Sequence, residues 1–228
     1  FSGYSDMAIG SARMFGIYLP INFNSPYKAT SIIDFWKRWH ITLSRFLRDY
    51  LYIPLGGNRK GKIRLFINLM VTALIGGLWH GAGWTFVLWG GLQGIYLVIN
   101  HNWQKISKTN RKLKLNSLFA WAVTMLAIVV SWVPFRAASL DGAIKVYEGM
   151  LGMNGISLPG VFKPIIEPIR AIFPDTSVVS EGFNSFGSAY GLAALFILLI
   201  VVLFSPNTME WMQLYKPALG FEHFEDKD

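Results

Sequence analysis

The chain has 228 residues, 53% of them hydrophobic, with nine Trp, no cysteine and a formal charge of +8. Its mean hydropathy of +0.38 is high for a soluble domain and usual for a protein built into a bilayer. Without cysteine there is no disulfide framework, thiolate metal site or cysteine nucleophile. The basic residues are gathered where membrane topology places them rather than along one nucleic-acid-binding face: Lys37 to Arg64 holds eight against Asp49 alone, and Lys105 to Lys114 holds five and no acid.

In chain order, Phe1 to Leu19 reads as the end of a membrane helix with Asp6 and Arg13 as its only charges, closed by Pro20 to Pro26. A chain that starts on Phe1 inside such a segment reads as the C-terminal part of a longer protein. Ser31 and Asp34 have capping-box spacing and open a helix predicted from Ile32 to about Tyr52. At 100° per residue it carries Trp36, Trp39, His40, Leu43, Phe46, Leu47 and Tyr50 on one face and Lys37, Arg38, Arg45, Arg48 and Asp49 on the other, an amphipathic helix suited to the membrane interface. Pro54, Gly56, Gly57 and Asn58 then form a turn. Gly56-Gly57-Asn58 with Arg59 and Lys60 can be read as a phosphate cradle or as a plain turn before topogenic charges.

Leu65 to Gln104 contains forty residues without a Lys, Arg, Asp or Glu, enough for two helices, Leu65 to Trp79 and Trp84 to Asn100. His80 falls at their junction among closely spaced glycines. Leu65 to Trp79 rises only about 22 Å against a hydrocarbon core of about 30 Å, so an ionisable ring is set at membrane depth, where such groups are functional candidates. Leu115 to Phe135 is a further predicted span ended by Pro134, and Gly182 to Met209 another, centred on Leu192 to Phe204. Arg136 to Glu181, interrupted by four prolines, reads as surface loop with short helices, and Glu222 to Asp228 as a solvated acidic end. The fold class is all-α: a polytopic transmembrane helical bundle, one membrane domain over residues 1–228, with an interfacial amphipathic helix and a hairpin or re-entrant segment around His80. Both basic segments then face the cytoplasm, in a multi-pass protein of the cell's inner (plasma) membrane.

His80 alone is compatible with a packed, hydrogen-bonded histidine. His40, on the apolar face of the preceding helix, gives it a partner, and a neutral imidazole can take and return a proton near neutral pH. Metal ligation by the pair has no HExxH or HxxxH spacing behind it, and no metal ligand is assigned. His101, at a predicted helix end, and His223, in the acidic tail, are left outside the site. Trp36, Trp39, Trp79, Trp84 and Trp89 serve either as packing and interface anchors or as a substrate platform.

Asp34-Phe35-Trp36-Lys37-Arg38-Trp39-His40-Ile41-Thr42-Leu43-Ser44, Arg48-Asp49-Tyr50, Pro54-Leu55-Gly56-Gly57 and Gly77-Leu78-Trp79-His80-Gly81 resemble the membrane-bound O-acyltransferase family, in particular its alginate O-acetyltransferase branch. The likeness is specific over residues 1–104, the motif-bearing core; residues 105–228 follow the family in hydropathy only. The resemblance implies a chamber where acyl donor and hydroxyl acceptor meet, with the family's active-site histidine at His80 and its second histidine at His40. Trp36, Trp39, Arg38, Trp79 and Asn58 are the candidates for substrate binding. The donor is then an acyl-CoA or an acyl-carrier thioester, used as substrate with no bound cofactor. The partners are the lipid bilayer, a polysaccharide acceptor, an acyl carrier protein and extracytoplasmic acyltransferases, with no nucleic acid. The competing reading is a non-enzymatic transporter or scaffold subunit of a polysaccharide synthesis or export complex.

Overall fold

A computed structural model describes residues 1–109, 115–153, 156–157, 178–179 and 189–212. It is helical apart from a two-residue parallel pairing of β1 (Ile156–Ser157) with β2 (Val178–Val179). The acidic tail and His223 lie outside the described residues, as does most of the proline-rich segment.

The first helix, α1 (Ser2–Met14), stops five residues before the predicted Leu19. Gly16 takes φ +72°, and the Ile17 N–H bonds back to the Ala12 carbonyl while the Gly16 N–H bonds to that of Arg13, the paired closure that glycine permits at a helix end. Ser31 caps α2 (Ile32–Arg38) as its spacing predicts, its hydroxyl accepting the Asp34 N–H at 3.1 Å. The continuous helix to Tyr52, however, is corrected to three pieces: α2, α3 (Ile41–Leu47) and a π turn over Arg48–Tyr52. The break is at Trp39-His40 because the Asn22–Asn24 strand of chain docks into it. Its backbone exchanges hydrogen bonds with Arg38 and Ile41, and Asn22 also binds Thr42. The apolar face is therefore not continuous: Ile32 and Phe35 are the buried residues of α2, whereas Phe46 and Tyr50 are exposed and pack on each other.

Two helices form the predicted hairpin, α4 (Lys62–His80) and α5 (Trp84–Thr109), the latter running nine residues beyond the predicted Asn100. Small residues bring their backbones together: a Cβ on Gly90 would lie 2.6 Å from the Ala73 carbonyl oxygen, and one on Gly77 would meet the Phe86 carbonyl. Next comes α6 (Ser117–Arg136), which passes through Pro134 instead of ending there. Pro134 has no N–H for the Val130 carbonyl, and the Tyr147 hydroxyl, from α7 (Leu140–Met150), donates to that carbonyl at 2.9 Å. The freed acceptor is satisfied, so the helix continues.

The core lies where α2 wedges against α5 and α6, with Ala29, Ile32, Phe35 and Ile128 buried together. Trp121 Nε1 donates to the Tyr27 carbonyl at 2.8 Å and the Ile33 N–H to Asn100 Oδ1 at 3.1 Å, tying the same elements. Helix α8 (Ala189–Phe204) is apolar on every side but has 16 residues, fewer than the predicted span, since residues 180–188 are outside the description. It is anchored at its end by Lys28 Nζ on the Ser205 carbonyl at 2.8 Å. In α9 (Thr208–Met212), Asn207 and Glu210 cap each other reciprocally. Among the described helices, α4 and α6 are long and apolar enough to cross a bilayer, and most of their surface is uncovered by the rest of the chain.

Candidate active site

His80 is the last residue of α4, held where the helix meets the Gly81–Gly83 connection. Four rings enclose its imidazole: Trp79 at 4.9 Å between centroids, Trp89 at 5.2 Å and Phe135 at 5.0 Å stand edge to face, and Phe86 lies nearly parallel at 6.5 Å. No hydrogen bond from a described residue engages either imidazole nitrogen, so the ring remains free to exchange a proton with a molecule that reaches it.

A cavity of about 320 Å³ runs from this ring between α3, α4 and α5. Leu69, Thr72, Ala73, Gly76 and His80 line it from α4, and Trp89, Gln93, Leu97 and His101 from α5. At 1.5 Å per residue these stripes extend about 17 Å, with His80 and Trp89 at one end and Leu69 and His101 at the other. Leu43, Ser44, Leu47, Arg48 and Tyr52 close the third side along with Trp36. Trp36 Nε1 donates to Gln93 Oε1 at 3.1 Å, Gln93 Nε2 to Ser131 Oγ at 2.7 Å, and Ser131 to the Ile128 carbonyl. This chain locks the wall's polar groups in one orientation. A larger cavity of about 590 Å³ opens between α5 and α6, but no histidine or charged side chain lines it.

His40 lies across Trp79 from His80: Trp79 is 6.1 Å from the His40 ring and 4.9 Å from the His80 ring. It does not line the cavity. Its ring is set by Asn22, whose Oδ1 accepts the Thr42 N–H at 3.2 Å and the Thr42 hydroxyl at 2.9 Å. A backbone N–H can only donate, so the Asn22 atom is an oxygen, and His40 Nδ1 at 3.2 Å from it carries the proton. That leaves the lone pair on Nε2. Burial, and secondarily the nearness of His80, holds His40 below the usual imidazole range.

Among the other sequence-derived candidates, Trp36 lines the cavity and Trp79 separates the two histidines. Trp39 is stacked on Phe35 in the core, 5.5 Å between centroids. Arg38 is paired with Asp34 at 2.9 Å, and Asn58 is exposed on its turn; neither lines the cavity. Of the remaining lining residues, the sequence offers Trp89 as an anchor or platform and leaves His101 outside the site, and Gln93 is not singled out there. Their signal was present as an i, i+4 ladder, Trp89-Gln93-Leu97-His101, on one face of α5. No group of three His, Asp or Glu suited to a metal ion occurs among the described residues.

Residues 1–136, which contain every cavity-lining residue, match the family described as membrane-bound O-acyltransferases. The chain belongs to that family. A peptidoglycan O-acetyltransferase of Helicobacter pylori is 44% identical over 227 residues, 96% of this chain and 42% of the relative. A probable alginate O-acetylase of Pseudomonas aeruginosa is 47% identical over 154 residues, covering 68% of this chain and 29% of the relative. A teichoic acid D-alanyltransferase of Streptococcus thermophilus is 35% identical over 123 residues, 49% of this chain and 29% of the relative. This member of the O-acyltransferase family thus spans less than half the length of the curated relatives it matches.

Proposed function

We propose that the protein to which this chain belongs transfers an acyl group, most simply acetyl, from a thioester donor on the cytoplasmic side to hydroxyls of a cell-surface or exported polysaccharide, with His80 as general base. The observation that carries the reading is an imidazole with both nitrogens unengaged at the end of a roughly 17 Å cavity, within the part of the chain that matches the family. The acceptor hydroxyl gives its proton to His80 as its oxygen attacks the thioester carbonyl, and the imidazolium returns that proton to the departing thiolate.

His40 acts from the far side of Trp79, oriented by Asn22. The cavity's length favours a donor with a long arm, as in coenzyme A or an acyl carrier protein, and Arg48 on its wall, paired with Asp49 at 2.7 Å, is the cation beside it. The relatives named for peptidoglycan and alginate acetylation favour a polysaccharide acceptor, which a protein of the inner membrane reaches directly or through an extracytoplasmic partner.

His80→Ala in the intact protein is expected to cut polysaccharide acetylation by roughly 10²- to 10⁴-fold, with membrane protein levels unchanged. Acetylation at the parental rate would reject His80 as the base.

A further inference from the structure

Among the described residues, Ser25 and His40 are the two other than glycine with left-handed backbones, at φ +48° and +44°. One stretch of chain joins them. The Asn22–Asn24 segment that sets His40 runs directly into Ser25, and this far end is gripped by the corner between α8 and α9. There the Glu210 N–H donates to Asn207 Oδ1 at 2.9 Å, which makes that atom the amide oxygen and leaves the nitrogen facing the segment. Asn207 Nδ2 donates to Asn24 Oδ1 and to Ser25 Oγ, each at 3.1 Å, and Lys28 Nζ donates to the Ser205 carbonyl at 2.8 Å. At the near end the Asn24 N–H donates to the Arg38 carbonyl at 2.9 Å, and Phe23 is buried against Trp39 with 5.1 Å between ring centroids. Asn22 completes the hold on the His40 ring.

We propose that Asn207 is a positioning residue for the transfer reaction: by clasping Asn24 and Ser25 it fixes the segment that turns His40 into its left-handed conformation and presents the ring across Trp79 from His80. The inference rests on the reading that His40 takes part in acyl transfer. A left-handed backbone is costly for a residue with a Cβ and persists where the surroundings over-determine it. Asn22–Asn24 supplies that restraint at His40 while its own far end is held; an extended segment with one end loose keeps much of its conformational freedom. Asn207 is suited to the task because it is itself locked, its N–H donating to Glu210 Oε2 at 2.8 Å while its side-chain oxygen takes the Glu210 N–H. It lies beyond residues 1–136, so a histidine of the family-matching segment is steered from outside that segment. The acidic partner of Arg38 leaves this arrangement intact, since Arg38 Nε pairs with Asp34 and its backbone carbonyl alone takes the Asn24 N–H.

The test uses the intact protein in membrane vesicles, with acetyl-coenzyme A as donor and alginate and peptidoglycan fragments as acceptors. It reads kcat, KM and the nitrogen-15 NMR signals of labelled histidine, with His40→Gln identifying those of His40. Asn207→Leu, similar in volume and without hydrogen-bonding groups, is expected to lower kcat roughly 10- to 10²-fold with KM nearly unchanged, and to turn the single Nδ1–H tautomer of His40 into a mixture. Asn24→Leu is expected to do the same, and the Asn24→Leu/Asn207→Leu pair to do no more than the more severe of the two. Asn24→Asp, which keeps an acceptor oxygen for Asn207, is expected to retain more of kcat than Asn24→Leu. An unchanged His40 signal in Asn207→Leu, or losses that simply add in the pair, would overturn the assignment. If Asn207→Leu does not accumulate, Lys28→Met, which releases the Ser205 carbonyl at the same corner, decides by the same kcat and NMR readouts. A changed His40 signal with parental kcat, in Asn207→Leu and His40→Gln alike, upholds the clasp and rejects the part given to His40 in transfer. No turnover by the parent protein with either acceptor rejects the transfer reading, and the NMR signal alone then upholds or overturns the clasp.

Discussion

His40 has φ +44°, in the left-handed region, where a residue with a Cβ is costly and which structures retain at sites that over-determine it. Here the over-determination is visible: Asn22 holds the ring Nδ1, the Thr42 N–H and the Thr42 hydroxyl on a single oxygen, and its carbonyl takes the Ile41 N–H. The rings around His40, from Phe1, Phe23 and Trp79, are uncharged, and His80 is the titratable group felt across Trp79. Because burial and His80 depress its folded pKa, the unfolded chain binds this proton more readily. The stability His40 contributes is therefore present above the unfolded value of about 6.5 and lost as pH falls through it toward the folded value. Thermal melts from about pH 8 to pH 5 should show an acid loss that is smaller in His40→Gln. It should also be smaller in Asn22→Asp, whose carboxylate would favour the imidazolium, and three superimposable pH curves would refute this account. Neither the left-handed turn nor the proton's position was legible from the sequence, because the residue that imposes both is eighteen positions upstream.

The α4–α5 hairpin sets the width of the cavity, since Trp89, Gln93 and His101 are carried by the same helix that touches α4 through Gly90. Gly90→Ala would place its Cβ 2.6 Å from the Ala73 carbonyl oxygen, backbone against backbone, whereas Gly91→Ala meets Leu74 Cδ2 at an ordinary 3.8 Å. We expect Gly90→Ala to cost about 1–3 kcal/mol and reduce activity, with Gly91→Ala close to neutral. Detergent thermal-shift assays check this, and equal melting temperatures for the two variants would contradict the hairpin geometry. Hairpin, cap and glycine packing were all readable: a charge-free run of forty residues interrupted at Gly81–Gly83 has few other ways to bury its backbone. The segmentation of Ile32 to Tyr52 was not, because helical periodicity continues through His40 and the break depends on hydrogen bonds from Asn22–Asn24. Nor was the passage of α6 through Pro134, which depends on a tyrosine from α7 reaching the acceptor that proline leaves free.

At the scale of the molecule, the antiparallel hairpin brings the basic approach before α4 and Lys105 near the end of α5 to the same end, with Ala82 at the other. These 228 residues contain no cysteine, so a single cysteine placed among them has no background from its own segment. Arg59→Cys and Lys105→Cys should react with a membrane-impermeant maleimide from the cytoplasmic face, and Ala82→Cys only from the opposite face. Modification of all three from one side would exclude a hairpin that crosses the bilayer. What the sequence determined by itself was the helical class, the apolar segments, the clustering of positive charge along the chain and the family likeness, with His80 as the candidate it offered for the chemical centre. These follow from local quantities, namely hydropathy, charge and short motifs, that a linear reading contains. The tertiary structure decided that His80 opens on a cavity walled by Trp89, Gln93 and His101, and that His40 stands behind Trp79 with its proton on Nδ1. Each of those depends on side chains from separate elements meeting at hydrogen-bond or ring-contact distance, and no periodicity along a single helix encodes the position of its neighbour.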